Sequence, residues 1–232
     1  MSVIVIGCGR TGSNLAVSLL SSNSKLNPSI PIENKNFFTS KTPFKSNYLC
    51  KADVTYSHNV EELINIMNID SEMKLVWTMR DPRDVVMSKI KRGQPKKIGG
   101  DNNSSSTPFN DATPNGSLES IRKSYSYHKK ILNLFPNRVF LIKMEDIILD
   151  TKNTTLKVCD FLNIEYEDDM SNFIVNMQNK YKLSRYGKKV DKNQVKLWKN
   201  WKTQYEGFFI KNNFNLEDLF KEVDDIRKYY NY

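Results

Sequence analysis

Apolar residues along this chain fall into short continuous runs, separated by stretches with helical spacing. The first run, 3–6, is β-branched throughout and too short for a helix, so it predicts a buried strand. Gly7, Gly9 and Gly12 interrupt it, and the spacing then predicts a helix over 13–22. A polar loop with Pro28, Pro31 and Pro43 is expected over 23–47. Further strands are predicted over 48–53, 74–79 and 138–143, with helices over 59–67, 83–91, 118–135, 145–149, 151–162, 166–177 and 215–229. Pro82 suits the first turn of the helix that follows it. The stretch 93–117, rich in Gly, Ser, Asn and Pro, reads as a long mobile loop, of a length that marks a functional lid or a disordered segment. Strands alternating with helices imply an α/β fold with a mainly parallel sheet and right-handed crossovers. No internal repeat is visible, and the length suits a single domain over 1–232.

Composition narrows the partners. A formal net charge of +9 points to anionic ones: nucleic acid, a nucleotide, or a sulfated or acidic substrate. No RNA-binding aromatic motif or zinc-finger spacing accompanies the charge, so nucleic acid is not expected. No apolar run reaches the length of a membrane span, and the first seven residues are too short and lack the basic start of a signal peptide. Cys8, Cys50 and Cys159 show neither paired nor metal-ligand spacing, which favours a reducing, cytoplasmic compartment and no metal.

The glycine stretch carries the first chemical signal. A strand, a glycine turn and a helix N-terminus together form an anion site, because backbone N–H groups approach closely and the helix dipole favours negative charge. Gly7-x-Gly9-x-x-Gly12 matches the dinucleotide fingerprint. It also resembles a P-loop, with Ser13 where the Lys should stand. In a third reading, Arg10 is the cation that grips the ligand. The dinucleotide reading wants a buried second strand ending in an acidic residue about 20 residues on. Glu33 sits near that distance, but its proline-rich surroundings make a poor buried strand.

The segment 75–88, Leu-Val-Trp-Thr-Met-Arg80-Asp-Pro-Arg83-Asp84-Val-Val-Met-Ser88, resembles the 3′-phosphate-binding motif of the sulfotransferases. There a strand ends in Arg, an R-[DN]-P-[RK]-D turn follows, and a Ser lies eight residues after the Arg. An Arg fork and a helical hydroxyl are sound donors for one phosphate. Beside this motif, Arg10-Thr11-Gly12-Ser13-Asn14 resembles the family's 5′-phosphosulfate loop, with Arg10 in place of the Lys of the cytosolic branch. The stretch 138–146 with 156–162 resembles the family's "YEDL … FLG" strand and helix. Arg185-Tyr-Gly187, followed by Trp198-Lys-Asn200, resembles its C-terminal R-K-G … W-K-N segment. Leu15 and Met144 depart from the pattern, standing where the cytosolic branch has an adenine-stacking Trp and a Tyr.

The resemblance implies a three-layer α/β fold of P-loop-like sulfotransferase architecture. It also implies sulfuryl transfer from 3′-phosphoadenosine 5′-phosphosulfate (PAPS) to a hydroxyl or amine, leaving 3′,5′-diphosphoadenosine (PAP), without a metal. Gly9 and the loop 10–14 would hold the 5′ end, with Arg10 also acting in catalysis. Arg80, Ser88, Arg185 and Gly187 would hold the 3′-phosphate. Lys51 would face the sulfuryl oxygens. The family's K-T-H segment aligns loosely with 51–53, which makes Asp53 the first candidate base and His58 the second. Each also has a plain alternative: Asp53 as a turn cap, His58 as a solvated loop residue. His128, among lysines on a helix, is expected at the surface. The acceptor is expected to be a glycan, a peptide or a small molecule, and the positive charge suits an acidic glycan or peptide. The rival readings are a non-catalytic dinucleotide-binding sensor, a P-loop kinase lacking its Lys, and a sulfotransferase-like protein without activity.

Overall fold

The computed structural model describes residues 1–34, 36–57, 59–93, 113–172, 195–199, 206–211 and 213–232. They divide into two compact units, Met1–Met79 with Tyr127–Lys192, and Arg80–Ser126 with Asn193–Tyr232.

The first unit holds a five-stranded sheet in the order β2-β3-β1-β4-β5. Its strands are β1 (Val3–Gly7), β2 (Asn27–Glu33), β3 (Tyr48–Asp53), β4 (Lys74–Met79) and β5 (Val139–Lys143). Every pairing is parallel. Burial follows sheet position: β1 is buried throughout, whereas β5, at an edge, is fully buried only at Val139 and Ile142. A central parallel strand is covered on both faces, which is why 3–6 is apolar without alternation. Helices α1 (Ser13–Ser21), α2 (Val60–Ile69), α5 (Met144–Leu149), α6 (Thr151–Leu162) and α7 (Asp168–Ser171) belong to this unit. One core cluster joins Val3 and Val5 to Val17 and Leu20 of α1, Ile147 of α5, and Val158 and Leu162 of α6.

The fold is the expected α/β type, with one strand more than the sequence pattern predicts. The stretch 27–33 is a strand despite Pro28 and Pro31. It lies at the sheet edge, where a missing N–H on the outer side costs nothing, and its register shifts between Pro28 and Glu33. The resulting order sets β1 between β3 and β4, whereas the dinucleotide fold sets β1 beside β2.

The second unit contains α3 (Pro82–Gly93), α8 (Glu206–Lys211), α9 (Leu216–Lys221) and α10 (Asp224–Tyr229). The long helix α4 (Pro114–Leu134) begins in this unit and passes at Ser126 into the first. It starts earlier than predicted, so 114–117, expected in the loop, is its first turn; 94–112 lies outside the described residues. The single helix expected over 215–229 is two, parted at Glu222 and Val223, where Val223 (φ −119, ψ 10) leaves helical geometry. Of the helix expected over 166–177 only α7 is described.

His128 corrects another expectation. It is 2% exposed, and its ring lies 5.2 Å from that of Trp77. Ser117, Ile121, Ser124, His128 and Ile131 are all buried at helical spacing, so His128 occupies the inward stripe of α4 while Lys129 and Lys130 face out. Burial pushes its imidazole pKa down to about 4.

Candidate functional site

Two loops carry the residues singled out by the sequence, one in each unit. The first joins β1 to α1 at the carboxyl edge of the sheet. Gly7 pairs with Asp53 on one side and Thr78 on the other. A Cβ on Gly7 would meet Thr78 Oγ1 at 2.5 Å and Thr78 O at 2.6 Å, with Thr11 Oγ1 at 3.0 Å. The absent side chain is therefore the space used by two hydroxyls. Thr11 Oγ1 donates to Cys8 O at 2.6 Å and lies 2.8 Å from Thr78 Oγ1. This pair pins the loop to β4 and turns the Thr11 hydroxyl inward, so Thr11 can serve a ligand only through its backbone.

The left-handed positions of the loop are Arg10 (φ 76) and Gly12 (φ 90). For a residue with a Cβ that conformation costs about 1–2 kcal/mol, so Arg10 is held there by its surroundings. Gly12 is the N-cap of α1, and a Cβ there would meet Met144 Cβ at 2.8 Å. No side chain caps α1, and its first turn contains no acidic residue. Ser13 is 9% exposed, while Arg10 and Asn14 are exposed. From β3, Lys51, 8% exposed, donates through Nζ to Asn14 Oδ1 at 3.1 Å. A buried ammonium, an exposed guanidinium and a helix start without a carboxylate are thereby gathered at one strand-helix junction. That arrangement favours negative charge. Asp53, at the end of β3, accepts from Thr55 N and Thr55 Oγ1 through Oδ1, each at 3.0 Å, and so caps a short turn.

The second loop follows Met79. Arg80 is 2% exposed, and its Nη2 lies 3.7 Å from Asp84 Oδ2. Ser88, on α3, is 2% exposed. Asp81 Oδ1 accepts from Arg83 N and Nε at 3.0 Å each, and Oδ2 accepts from Arg83 Nη2 at 2.6 Å. Asp84, with no exposed surface, accepts from Trp198 N at 2.7 Å through Oδ1. His58, Arg185 and Gly187 lie outside the described residues. Leu15, in the position of the family's adenine-stacking Trp, packs half-buried against the core cluster.

Sequence spacing could not have found three of these contacts. Thr11 and Thr78 are 67 residues apart, Lys51 and Asn14 are 37 apart, and Trp198 and Asp84 are 114 apart. Only strand register and helix packing bring them together.

The family model described as "Sulfotransferase family" matches residues 33–168, more than half of the chain. That span includes Lys51, Asp53, Arg80 and Ser88 and leaves out the glycine loop. The sulfotransferase domain from the curacin biosynthetic pathway superposes with a TM-score of 0.58 at 14% identity, covering 92% of this chain and 98% of that one. The sulfotransferase domain from the Synechococcus PCC 7002 olefin synthase gives 0.56 at 13% identity, covering 85% and 86%. Mouse sulfotransferase SULT7A1, complexed with PAP, gives 0.54 at 14% identity, covering 89% and 81%. At these identities the likeness is one of fold. No curated protein sequence matches.

Proposed function

Because this chain belongs to the sulfotransferase family, we propose that it moves a sulfuryl group from PAPS to a hydroxyl or amine acceptor by in-line displacement. The observation that carries this reading is the start of α1, where an uncapped helix end, Arg10 and the buried Lys51 meet without an acidic residue in the first turn. The complex of the mouse neighbour with PAP supports the choice of donor. In the reaction a bond forms between the acceptor heteroatom and sulfur. The bond from sulfur to the 5′-phosphate oxygen breaks, PAP leaves, and the acceptor proton passes to a base. As in phosphoryl transfer, positioning and charge stabilisation do most of the work.

In this reading Arg10 and the N–H groups of the loop Gly9 to Asn14 stabilise charge on the departing 5′-phosphate. Lys51 faces the sulfuryl oxygens, and Asp53 or His58 takes the proton. Arg80, Ser88, Arg185 and Gly187 select the 3′-phosphate. The protein cations do the work a metal does elsewhere. The net charge of +9 favours an acidic glycan or peptide as acceptor. Three buried cysteines, Cys8, Cys50 and Cys159, suit a reducing, cytoplasmic setting. No helix among the described residues is long and apolar enough to cross a membrane.

A dinucleotide sensor, the second reading, fits less well because β1 lies between β3 and β4. Thermal shift with PAP, NAD and ATP separates the readings. PAP at a hundred times its Kd should add about 2.7 kcal/mol, and the other two less. Stronger stabilisation by NAD or ATP would overturn the proposal. In assays of transfer, Arg10→Ala should lower turnover more than donor affinity. Donor binding with no transfer to any acceptor would leave a sulfotransferase-like binding protein.

A further inference from the structure

The turn after β4 contains more charged residues than a phosphate grip requires, and the excess is directed at Trp198. Asp81 holds Arg83 through three hydrogen bonds, so that the guanidinium is fixed as a flat plate. That plate lies over the Trp198 ring, with Arg83 Cζ 4.0 Å from its centroid. Phe220 meets the same ring edge-on, at 5.6 Å and 80°. Asp84 takes the Trp198 backbone N–H on one carboxylate oxygen at 2.7 Å and faces Arg80 Nη2 with the other at 3.7 Å. All these residues lie in the second unit.

A carboxylate with no exposed surface is costly unless its partners stay in place. The orientation that accepts the Trp198 N–H also decides which oxygen confronts Arg80. The seating of Trp198 and the placing of Arg80 are therefore linked through one buried group. We infer that Arg83 and Asp84 are positioning residues that clamp Trp198 to this turn and thereby set the Arg80 guanidinium for the donor's 3′-phosphate. The inference rests on the donor reading above and adds to it a reason for the second Arg and the second Asp of the turn.

The test uses the full chain with Trp201→Phe. Trp77 has no exposed surface, so acrylamide quenching of the remaining tryptophans reads Trp198. Calorimetry with PAP and with 5′-adenylate reads the 3′-phosphate. Arg83→Ala should raise quenching severalfold and weaken PAP about tenfold, with 5′-adenylate changed less than twofold. Asp84→Ala should do the same. Asp84→Asn keeps the acceptor for the Trp198 N–H and removes only the counter-charge, so quenching should stay low and PAP should bind at least as tightly as to the parent. Arg83, less buried than Asp84 (16% of its side chain exposed against none), keeps the test open if Asp84→Ala does not fold. Unchanged quenching in Arg83→Ala overturns the clamp. Raised quenching with an unchanged ratio of PAP to 5′-adenylate affinity overturns its link to Arg80. A parent protein with no preference for PAP overturns the donor reading and the phosphate half of this inference, while the quenching result still judges the clamp.

Discussion

Between Gly7 and Ser13 the chain shapes its loop by leaving side chains out; between Arg80 and Ser88 it fills the space with buried charge. The first loop owes its shape to two left-handed residues and a pair of hydroxyls occupying the volume a Cβ would take. The second owes its shape to an Arg and an Asp that are almost wholly buried and held in register by Trp198. A loop of the first kind fails when atoms are added. A turn of the second kind fails when one charge is removed and its partner stays.

That contrast is breakable by experiment. Gly7→Ala should have the largest effect, because the new methyl meets the backbone carbonyl of Thr78, which cannot swing away. We expect a loss of about 4 kcal/mol, read as a fall in Tm of roughly 10 °C. Arg80→Ala should cost about 3 kcal/mol by taking the guanidinium away from the buried Asp84 carboxylate. Adding Asp84→Asn should then restore most of the stability without restoring preference for PAP over 5′-adenylate. If the single and double variants are equally stable, the two residues do not form an electrostatic unit.

His128 gives a pH signature that belongs to neither loop. Its folded pKa of about 4 lies below the ordinary 6.5, so the unfolded chain binds more protons between those values. Stability from this group is full above pH 6.5 and is lost as the pH falls toward 4, to a total of about 3 kcal/mol. His128→Phe should flatten urea-denaturation stability across that window. Thr11→Val should show the smallest change. It removes two hydrogen bonds at the base of the glycine loop for about 1–2 kcal/mol, and Thr11→Ser should recover most of it. A Thr11→Val variant as stable as the parent would show that backbone geometry alone holds the loop.

Much of the frame was legible from local pattern. The runs at 3–6 and 74–79 are strands because buried parallel strands are largely apolar on both faces, and that requirement is written into consecutive residues; 48–53 is a strand although Lys51 and Asp53 interrupt its apolar run. The stretch 27–33 was harder, because its prolines argue against a central strand and only its edge position makes them tolerable. The lysines beside His128 point it to the surface, whereas its spacing from Ser117, Ile121, Ser124 and Ile131 places it on the inward face.

The glycine loop shows the division most sharply. Its three glycines fit a dinucleotide fingerprint as well as a sulfotransferase loop, since both need a close backbone approach to phosphate. Sequence alone determined the strand, the turn and the helix start, and the Arg80-to-Ser88 pattern joined them to one family. Tertiary structure decided that β3, not β2, lies beside β1, and that the Gly7 vacancy houses the Thr11 and Thr78 hydroxyls. It also decided that Arg10 takes a left-handed conformation and that Asp84 answers to both Arg80 and Trp198. Local propensity acts over a few residues, whereas these contacts join positions 67 and 114 residues apart. Their partners exist only once the sheet register and helix packing are set.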